Sequence, residues 1–270
     1  MLLVSFSHAQ DVHFSQAIYS PLTLSPAMAG VNGPMTAIVN YRSQWKSVAP
    51  AYSSIAASFD MRLNENRRNR RGIFAFGINF LNDQSGDSKI STTNANLNLA
   101  YHLILNKRSK LGVGIYTGFG QRAIDAGAGR WGSQFDGMAY NSALGSNEAF
   151  SRDQFSFIDV GTGFAYTFKN SESYITSNDQ REFTVGGGVF HLSRPNYSFF
   201  STNDELLFMR FNVFAQAIVG FTNTNLSIMP AVYFQRQGPS QEILVGNYFR
   251  YMAQGYSKVT GFNKGTYISL

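Results

Sequence analysis

Side chains able to do acid–base, nucleophilic or metal chemistry are few in this sequence, and they are scattered. Its four histidines, His8, His13, His102 and His191, are too dispersed to make a metal-binding pair, and neither a His-Glu-x-x-His helix motif nor a Gly-x-Ser-x-Gly elbow occurs. With no cysteine, a thiolate zinc site and a disulfide scaffold are both excluded. Gly112 to Gly120 superficially resembles a phosphate-binding loop, but its glycines alternate with apolar residues and no helical pattern follows. It reads as a strand. Asp60, Asp159, Arg42, Arg62, Arg210 and Arg250 fall on the polar face of alternating segments. Paired carboxylates there could do acid–base work, but charge pairs that stabilise a wet interior are the commoner arrangement. No catalytic set, cofactor site or metal site is read, and no enzyme is expected.

The elements that must carry these residues are defined by period-2 alternation, in segments of roughly 9 to 11 residues, the length of a tilted membrane-crossing strand. Met35 to Trp45 places Met35, Ala37, Val39, Tyr41 and Trp45 on one face and Thr36, Asn40, Arg42 and Gln44 on the other. Ser53 to Leu63 repeats the pattern. In Ser91 to Leu103, Ala95, Leu97, Leu99 and Tyr101 alternate with Asn94, Asn96, Asn98 and His102, a row of amides suited to a wet lumen. Leu111 to Phe119 puts glycines on the inward face, where they permit bending and leave space. Further strands are expected at Ile73–Leu81, Phe157–Phe168, Phe183–Leu192, Phe208–Val219, Leu226–Gln235 and Ile243–Tyr251, with a fragment at Tyr267–Leu270.

Ten strands and a fragment, nearly charge-free on their apolar face, predict an all-β, antiparallel transmembrane barrel of the outer-membrane type. A membrane barrel must close, because unpaired edge groups are not satisfied in lipid. The expectation is therefore that residues 35–270 form a barrel incomplete at its C-terminus. Composition agrees: 15% of residues are aromatic, with 24 Phe and 14 Tyr, and only 14% are charged, against about 25% in soluble domains. A soluble β-sandwich is the competing fold, but its alternation would turn charge outward. No run approaches 18 apolar residues, so no helical span is expected. The net charge of +6 lies in short turns and lumen positions rather than in one basic stripe, so nucleic acid is not an expected partner.

At the N-terminus, residues 1–9 read as a signal-peptide remnant, apolar from Met1 to Phe6 with a small-x-small site at Ser7-His8-Ala9 and no basic region before it. A buried N-terminal strand is the alternative. Counting strands from a periplasmic N-terminus puts the 35 residues from Gln121 to Phe155 outside. It puts Arg67, Arg68, Arg70, Arg71, Lys107, Arg108 and Lys110 on the periplasmic rim. These are either solvated turn residues or a docking surface for an acidic partner.

Residues 10–34 read as irregular. They contain Gln10-Asp11-Val12-His13-Phe14-Ser15-Gln16 and then Pro21-Leu22-Thr23-Leu24-Ser25-Pro26-Ala27-Met28-Ala29-Gly30. This segment resembles the N-terminal signature of the PorP/SprF family of type IX secretion membrane proteins, Q-D-x-x-F-S-Q followed by P-L-x-x-N-P-A-x-A-G. Ser25 stands where the family usually has Asn. Tyr41-Arg42-Ser43-Gln44-Trp45 is similar to the family's Y-R-x-Q-W, Ser58-Phe59-Asp60 to its S-F-D, and His191-Leu192 with Pro195-Asn196 to its H-L-x-x-P-N. The resemblance implies a bacterial outer-membrane barrel that assists type IX secretion, or the export and anchoring of a large gliding-type adhesin, through periplasmic and translocon contacts. Asp11, Phe14, Ser15, Gln16, Pro21, Leu22, Pro26, Ala27, Gly30, Tyr41, Arg42, Gln44, Trp45, His191, Leu192 and Pro195 are the partner-contact candidates it marks, with membrane lipid, secretion components and the adhesin as partners. A solute-conducting porin is the alternative, and a barrel hydrolase with rim Ser and His a further one. In physical terms the segment either plugs the barrel or is a leader to the first strand.

Overall fold

A computed structural model describes all residues except 1–10, 12–13, 15, 48–51, 65–70, 149, 171–179, 201–204, 223, 255–265 and 270. The alternating segments form one antiparallel meander of eleven strands: β1 Met35–Gln44, β2 Tyr52–Arg62, β3 Gly72–Ser85, β4 Ile90–Ile104, β5 Ser109–Ala123, β6 Gln154–Asn170, β7 Arg181–Phe190, β8 Arg210–Gly220, β9 Leu226–Gln237, β10 Ser240–Gln254 and β11 Thr266–Ser269. Each strand pairs with its neighbours in sequence. Among the described residues no pairing joins β1 to β11. The expected strands are all present, and several run longer than 9 to 11 residues, with β6 reaching 17.

Expected strands fall short at Trp45, at Leu63, beyond Phe190 and at Phe208, two of them for backbone reasons. Trp45 and His191 adopt left-handed conformations, φ 56° and 59°, which stop β1 at Gln44 and β7 at Phe190. Phe208 precedes β8, which begins at Arg210.

Burial along the strands is inverted relative to a soluble sheet. Phe74, Val113, Ile115, Ile158, Phe164, Val213 and Val245 are exposed, while Asp60, Asn98, His102, Asp159 and Arg210 are buried. Among exposed described strand residues, the only charged ones are Arg181 and Arg236, and each lies at a strand end. An apolar belt facing outward over a polar interior is the arrangement that lipid stabilises and water does not. It decides against the β-sandwich. Among the described residues no helix is long and apolar enough to cross a membrane.

The meander has two distinct ends. The connections 45–51, 86–89, 124–153, 191–209 and 238–239 lie at one, called here the long-loop end. Those at 63–71, 105–108, 171–180, 221–225 and 255–265 lie at the other, the short-turn end.

Candidate functional site

The polar face of the sheet does not enclose water alone: it encloses the chain's own N-terminal segment. Residues 17–28 form three short turns, a 3-10 turn at Ala17–Tyr19, the single α-turn α1 at Pro21–Leu24 and a second 3-10 turn at Pro26–Met28. Prolines at the first position of the last two supply the fixed φ each turn needs and lack an N–H that would go unpaired. Pro21, Leu22, Ser25, Pro26, Ala27, Met28 and Ala29 are all almost fully buried.

This segment meets ten consecutive strands. Asn40 of β1 donates to the Tyr19 carbonyl (2.9 Å), Asp60 of β2 accepts from Gly30 N–H, and Ala75 of β3 packs with Leu22 and Ala29. His102 Nε2 of β4 reaches the Ala29 carbonyl at 2.7 Å, and Ala27 lies over Gly114 of β5. Lys169 of β6 donates to the Val31 carbonyl (3.1 Å), Ser25 donates to the Gly187 carbonyl of β7 (3.0 Å), and Asn212 of β8 donates to the Thr23 carbonyl (3.1 Å). Gln237 of β9 accepts from Asp11 N–H, and Tyr248 of β10 meets the Tyr19 ring edge-on at 5.9 Å. Ten strands laid flat span about 43 Å. A twenty-residue segment of compact turns reaches all of them only from inside a curled sheet. The segment is a plug.

The inward glycines now have a specific purpose. A Cβ at Gly114 would stand 2.5 Å from Ala27 N, one at Gly163 would overlap Ser25 Oγ, and one at Gly188 would stand 2.8 Å from the Leu24 carbonyl. The space these three leave is occupied by the plug, by its backbone at Gly114 and Gly188 and by the Ser25 hydroxyl at Gly163. Ser25 caps the second 3-10 turn by accepting from Ala27 N–H (3.3 Å), so a hydroxyl does the local work at the position where the resemblance has an amide.

Two polar latches fix the plug, one toward each end. At the short-turn end, Gly30 is held between Asp60, whose Oδ1 accepts from Gly30 N–H at 2.7 Å, and Arg62, whose Nε donates to the Gly30 carbonyl at 2.7 Å. Gly30 has φ +72°, and a Cβ there would lie 2.7 Å from Ala75 Cβ, so only glycine fits. Lys169, paired with Glu182 at 2.6 Å, holds the next carbonyl.

Toward the long-loop end, Asp11 Oδ2 meets His191 Nε2 at 2.5 Å and Arg210 Nη1 at 3.0 Å. The other imidazole nitrogen, Nδ1, lies 2.7 Å from Asp159 Oδ2, which also accepts from the Tyr116 hydroxyl. Tyr116 in turn accepts from His191 N–H (3.2 Å), and Arg210 stacks on the Phe190 ring at 4.3 Å. The left-handed backbone of His191, followed by a turn in which Arg194 N–H donates to the His191 carbonyl, aims the ring inward. Burial opposes protonation of His191, yet the Asp11 carboxylate and hydrogen bonds to Asp11 and Asp159 outweigh it and raise its pKa to about 9. Burial likewise disfavours the Asp11 carboxylate, but the His191 and Arg210 charges hold its pKa well below the usual carboxylate range. The latch thus sets two cations, His191 and Arg210, against the carboxylates of Asp11 and Asp159, with Nε2 bonded to Asp11 and Nδ1 in ion-pair contact with Asp159.

This geometry separates residues that strand counting groups together. Asp11 lies level with Arg210 and Gln237, toward the long-loop end, whereas Arg71, Lys107, Arg108 and Lys110 lie at the short-turn end. Of the described N-terminal residues, Gly30 to Pro34 lie at the basic end, beside the start of β1. Counting from a periplasmic N-terminus sets the whole Asp11 to Gly30 segment beside the basic turns; the structure brings only its Gly30 end there and carries Asp11 toward the long-loop end. Ser15, Arg67, Arg68 and Arg70 lie outside the described residues. Phe14 is buried against the plug's side of the wall, Gln16 is exposed, and Leu192 and Pro195 belong to the long-loop end beyond β7. Tyr41 points outward, while Arg42, Gln44 and Trp45 line a cavity of about 1270 Å³ that opens at the long-loop end, with Leu22 and Thr23 of the plug at its base.

A family model for the type IX secretion system membrane protein PorP/SprF matches residues 6–263. The chain belongs to the PorP/SprF family. No curated protein shows significant sequence similarity to it. A PorP/SprF protein is a membrane component of the type IX secretion system, and its partners are among that system's components. In this PorP/SprF chain the two motifs that carried the resemblance at opposite ends of the sequence, around Asp11 and around His191, meet in one ion cluster. Sequence reasoning named both residues and did not join them, because nothing local links positions 180 apart. A weak signal existed in the run Gly186-Gly187-Gly188, which a membrane strand needs only where another backbone approaches closely.

Proposed function

We propose that this chain is an outer-membrane barrel that serves type IX secretion as a closed scaffold, assisting export and anchoring of a large gliding-type adhesin through contacts at its two rims, and that it conducts no solute. The observation that carries the reading is the latched plug: a wall with an apolar outer belt surrounds a lumen that the chain's own N-terminal motif blocks below an open cup. A porin needs a continuous wet path, and the buried stack from Leu22 to Ala29 interrupts it. The scaffold reading leaves the rims as working surfaces. The short-turn end supplies exposed Arg71, Lys107 and Arg108 beside Lys110, a basic surface for an acidic periplasmic partner. Partners in this reading are membrane lipid around the belt, secretion or gliding components at the basic rim and the adhesin.

The test is affinity purification of the full-length protein from membranes, with and without neutralisation of Arg71, Lys107 and Arg108. Retention of secretion components by the native protein, loss of them in the neutralised variant and unchanged barrel levels support the proposal. Equal retention by both moves the docking surface elsewhere, and co-purification with no secretion component rejects it.

A further inference from the structure

The plug divides the lumen, and the half toward the long loops is left as a cup whose lining has a specific chemistry. We infer that this cup is a binding site for a neutral oligosaccharide, an inference that stands apart from the scaffold reading. Its volume of about 1270 Å³ exceeds the 300 to 1,000 Å³ typical of small-molecule pockets, so it suits a short chain rather than one small molecule.

Three properties select the ligand class. First, over most of the wall only side chains are offered. Strands β2 to β6 are paired on both sides, so across them a bound peptide would find no free sheet edge for its own N–H and C=O groups. A polyhydroxyl ligand has no such requirement. Second, charge is nearly balanced: four arginines and His191 face four carboxylates around the cup. A polyanion would meet nearly as much repulsion as attraction, and a neutral ligand is preferred. Third, the groups left over are amides and aromatic faces. Asn94 and Asn96 project from β4 over Gly118 and Gly120 of β5, with no hydrogen bond to any described residue. Each offers both a donor and an acceptor, the pair that a sugar hydroxyl matches. At the mouth, Trp45 is held in a left-handed backbone conformation with its ring edge-on to Tyr52 at 4.9 Å. A bulky residue in that region is strained and persists where its surroundings demand it. Here it sets two aromatic rings at the entrance, where the C–H face of a sugar ring stacks.

The sequence provides its own probe, because the chain has two tryptophans, Trp45 at the cup and Trp131 in the long loop with its indole N–H donated to the Ala126 carbonyl. In a Trp131→Phe background, fluorescence reports the cup alone. The purified full-length protein is titrated with maltohexaose, cellohexaose and mannohexaose, alongside hexagalacturonate as an anionic control and a neutral Gly-Ser hexapeptide. The expected result is a saturable change with at least one neutral hexasaccharide and none with the two controls. Asn96→Ala and Tyr52→Ala should each weaken that binding on the order of tenfold, at unchanged heat-modifiable barrel content. Absence of response to all three neutral sugars, an equal response to the anionic sugar or the peptide, or undiminished binding in both folded variants overturns the inference.

Discussion

Removing the Asp11 carboxylate should free the outer part of the plug without dismantling the wall. Asp11 is the plug's single charged contact with the cluster and takes two charge-assisted partners, His191 and Arg210. Breaking a buried pair by deleting one partner costs about 3 to 5 kcal/mol. The Asp11 side chain is 21% exposed, so partial solvent screening reduces this. His191 also keeps Asp159 as a partner. A loss of about 2 to 3 kcal/mol for Asp11→Ala is therefore expected, which raises the population of the released plug roughly 30- to 150-fold at 1.4 kcal/mol per decade. The chain has no cysteine, so a single reporter can be placed at Ser20, which is 5% exposed and isosteric with cysteine. Labelling by a charged thiol reagent then follows the fraction of time the plug is open. Ser20→Cys alone should react slowly, and adding Asp11→Ala should accelerate it by the stated factor while heat-modifiability persists. An unchanged rate in the folded double variant would refute the claim that this latch holds the plug.

The same latch predicts a pH dependence. His191 has its pKa raised from 6.5 to about 9, so its contribution is fully present below pH 6.5 and lost as pH rises through 9; Ser20→Cys labelling, normalised at each pH to the rate of a free thiol, should accelerate between those limits, and His191→Asn, which keeps a residue tolerant of left-handed φ, should remove that normalised dependence. Gly30→Ala forces a Cβ against Ala75 at φ +72° and should destabilise the barrel by about 2 to 4 kcal/mol, read by chemical denaturation in detergent. Leu97→Arg, on the exposed belt, should cost about 2 to 4 kcal/mol of insertion stability whereas Asn96→Arg, in the cup, should cost far less; equal tolerance would contradict the membrane-facing assignment. A protease site between Gly129 and Gly145 should be cut on intact cells, and one near Asn69 should not.

The wall was legible in the sequence because its signal is local. In β4, Leu97 and Leu99 alternate with Asn96 and Asn98, and each residue's neighbours two positions away suffice to assign its face. Strand ends were less legible. Gln121 breaks the alternation of β5, yet the strand continues to Ala123 because β6 pairs with it that far. The overlying loops add an aromatic cluster of Phe155, Phe157, Tyr197 and Phe199, with Arg122 stacked on Tyr197 at 4.3 Å. The plug was only half legible. Pro21, Pro26 and Gly30 announce compact turns, but turns of that kind fit a leader as well as a plug. What distinguishes them is the set of long-range bonds from Asp60, His102, His191 and Asn212, and none of these leaves a periodic trace. The inward glycines of β5 to β7 were visible as space, and only the structure shows that the plug fills it at Gly114, Gly163 and Gly188 while wall side chains such as His102, Asn96 and Tyr116 fill it at Gly112, Gly118 and Gly161.

The most direct test of a sealed scaffold is single-channel conductance of the purified full-length protein in planar lipid bilayers, compared with a variant freed at both ends of the plug by Asp11→Ala and Arg62→Ala. The native protein should insert without stable conducting steps, and the double variant should show them in bilayers of the same composition. Steady porin-like conductance of the native protein, unaltered in the variant, would contradict the account.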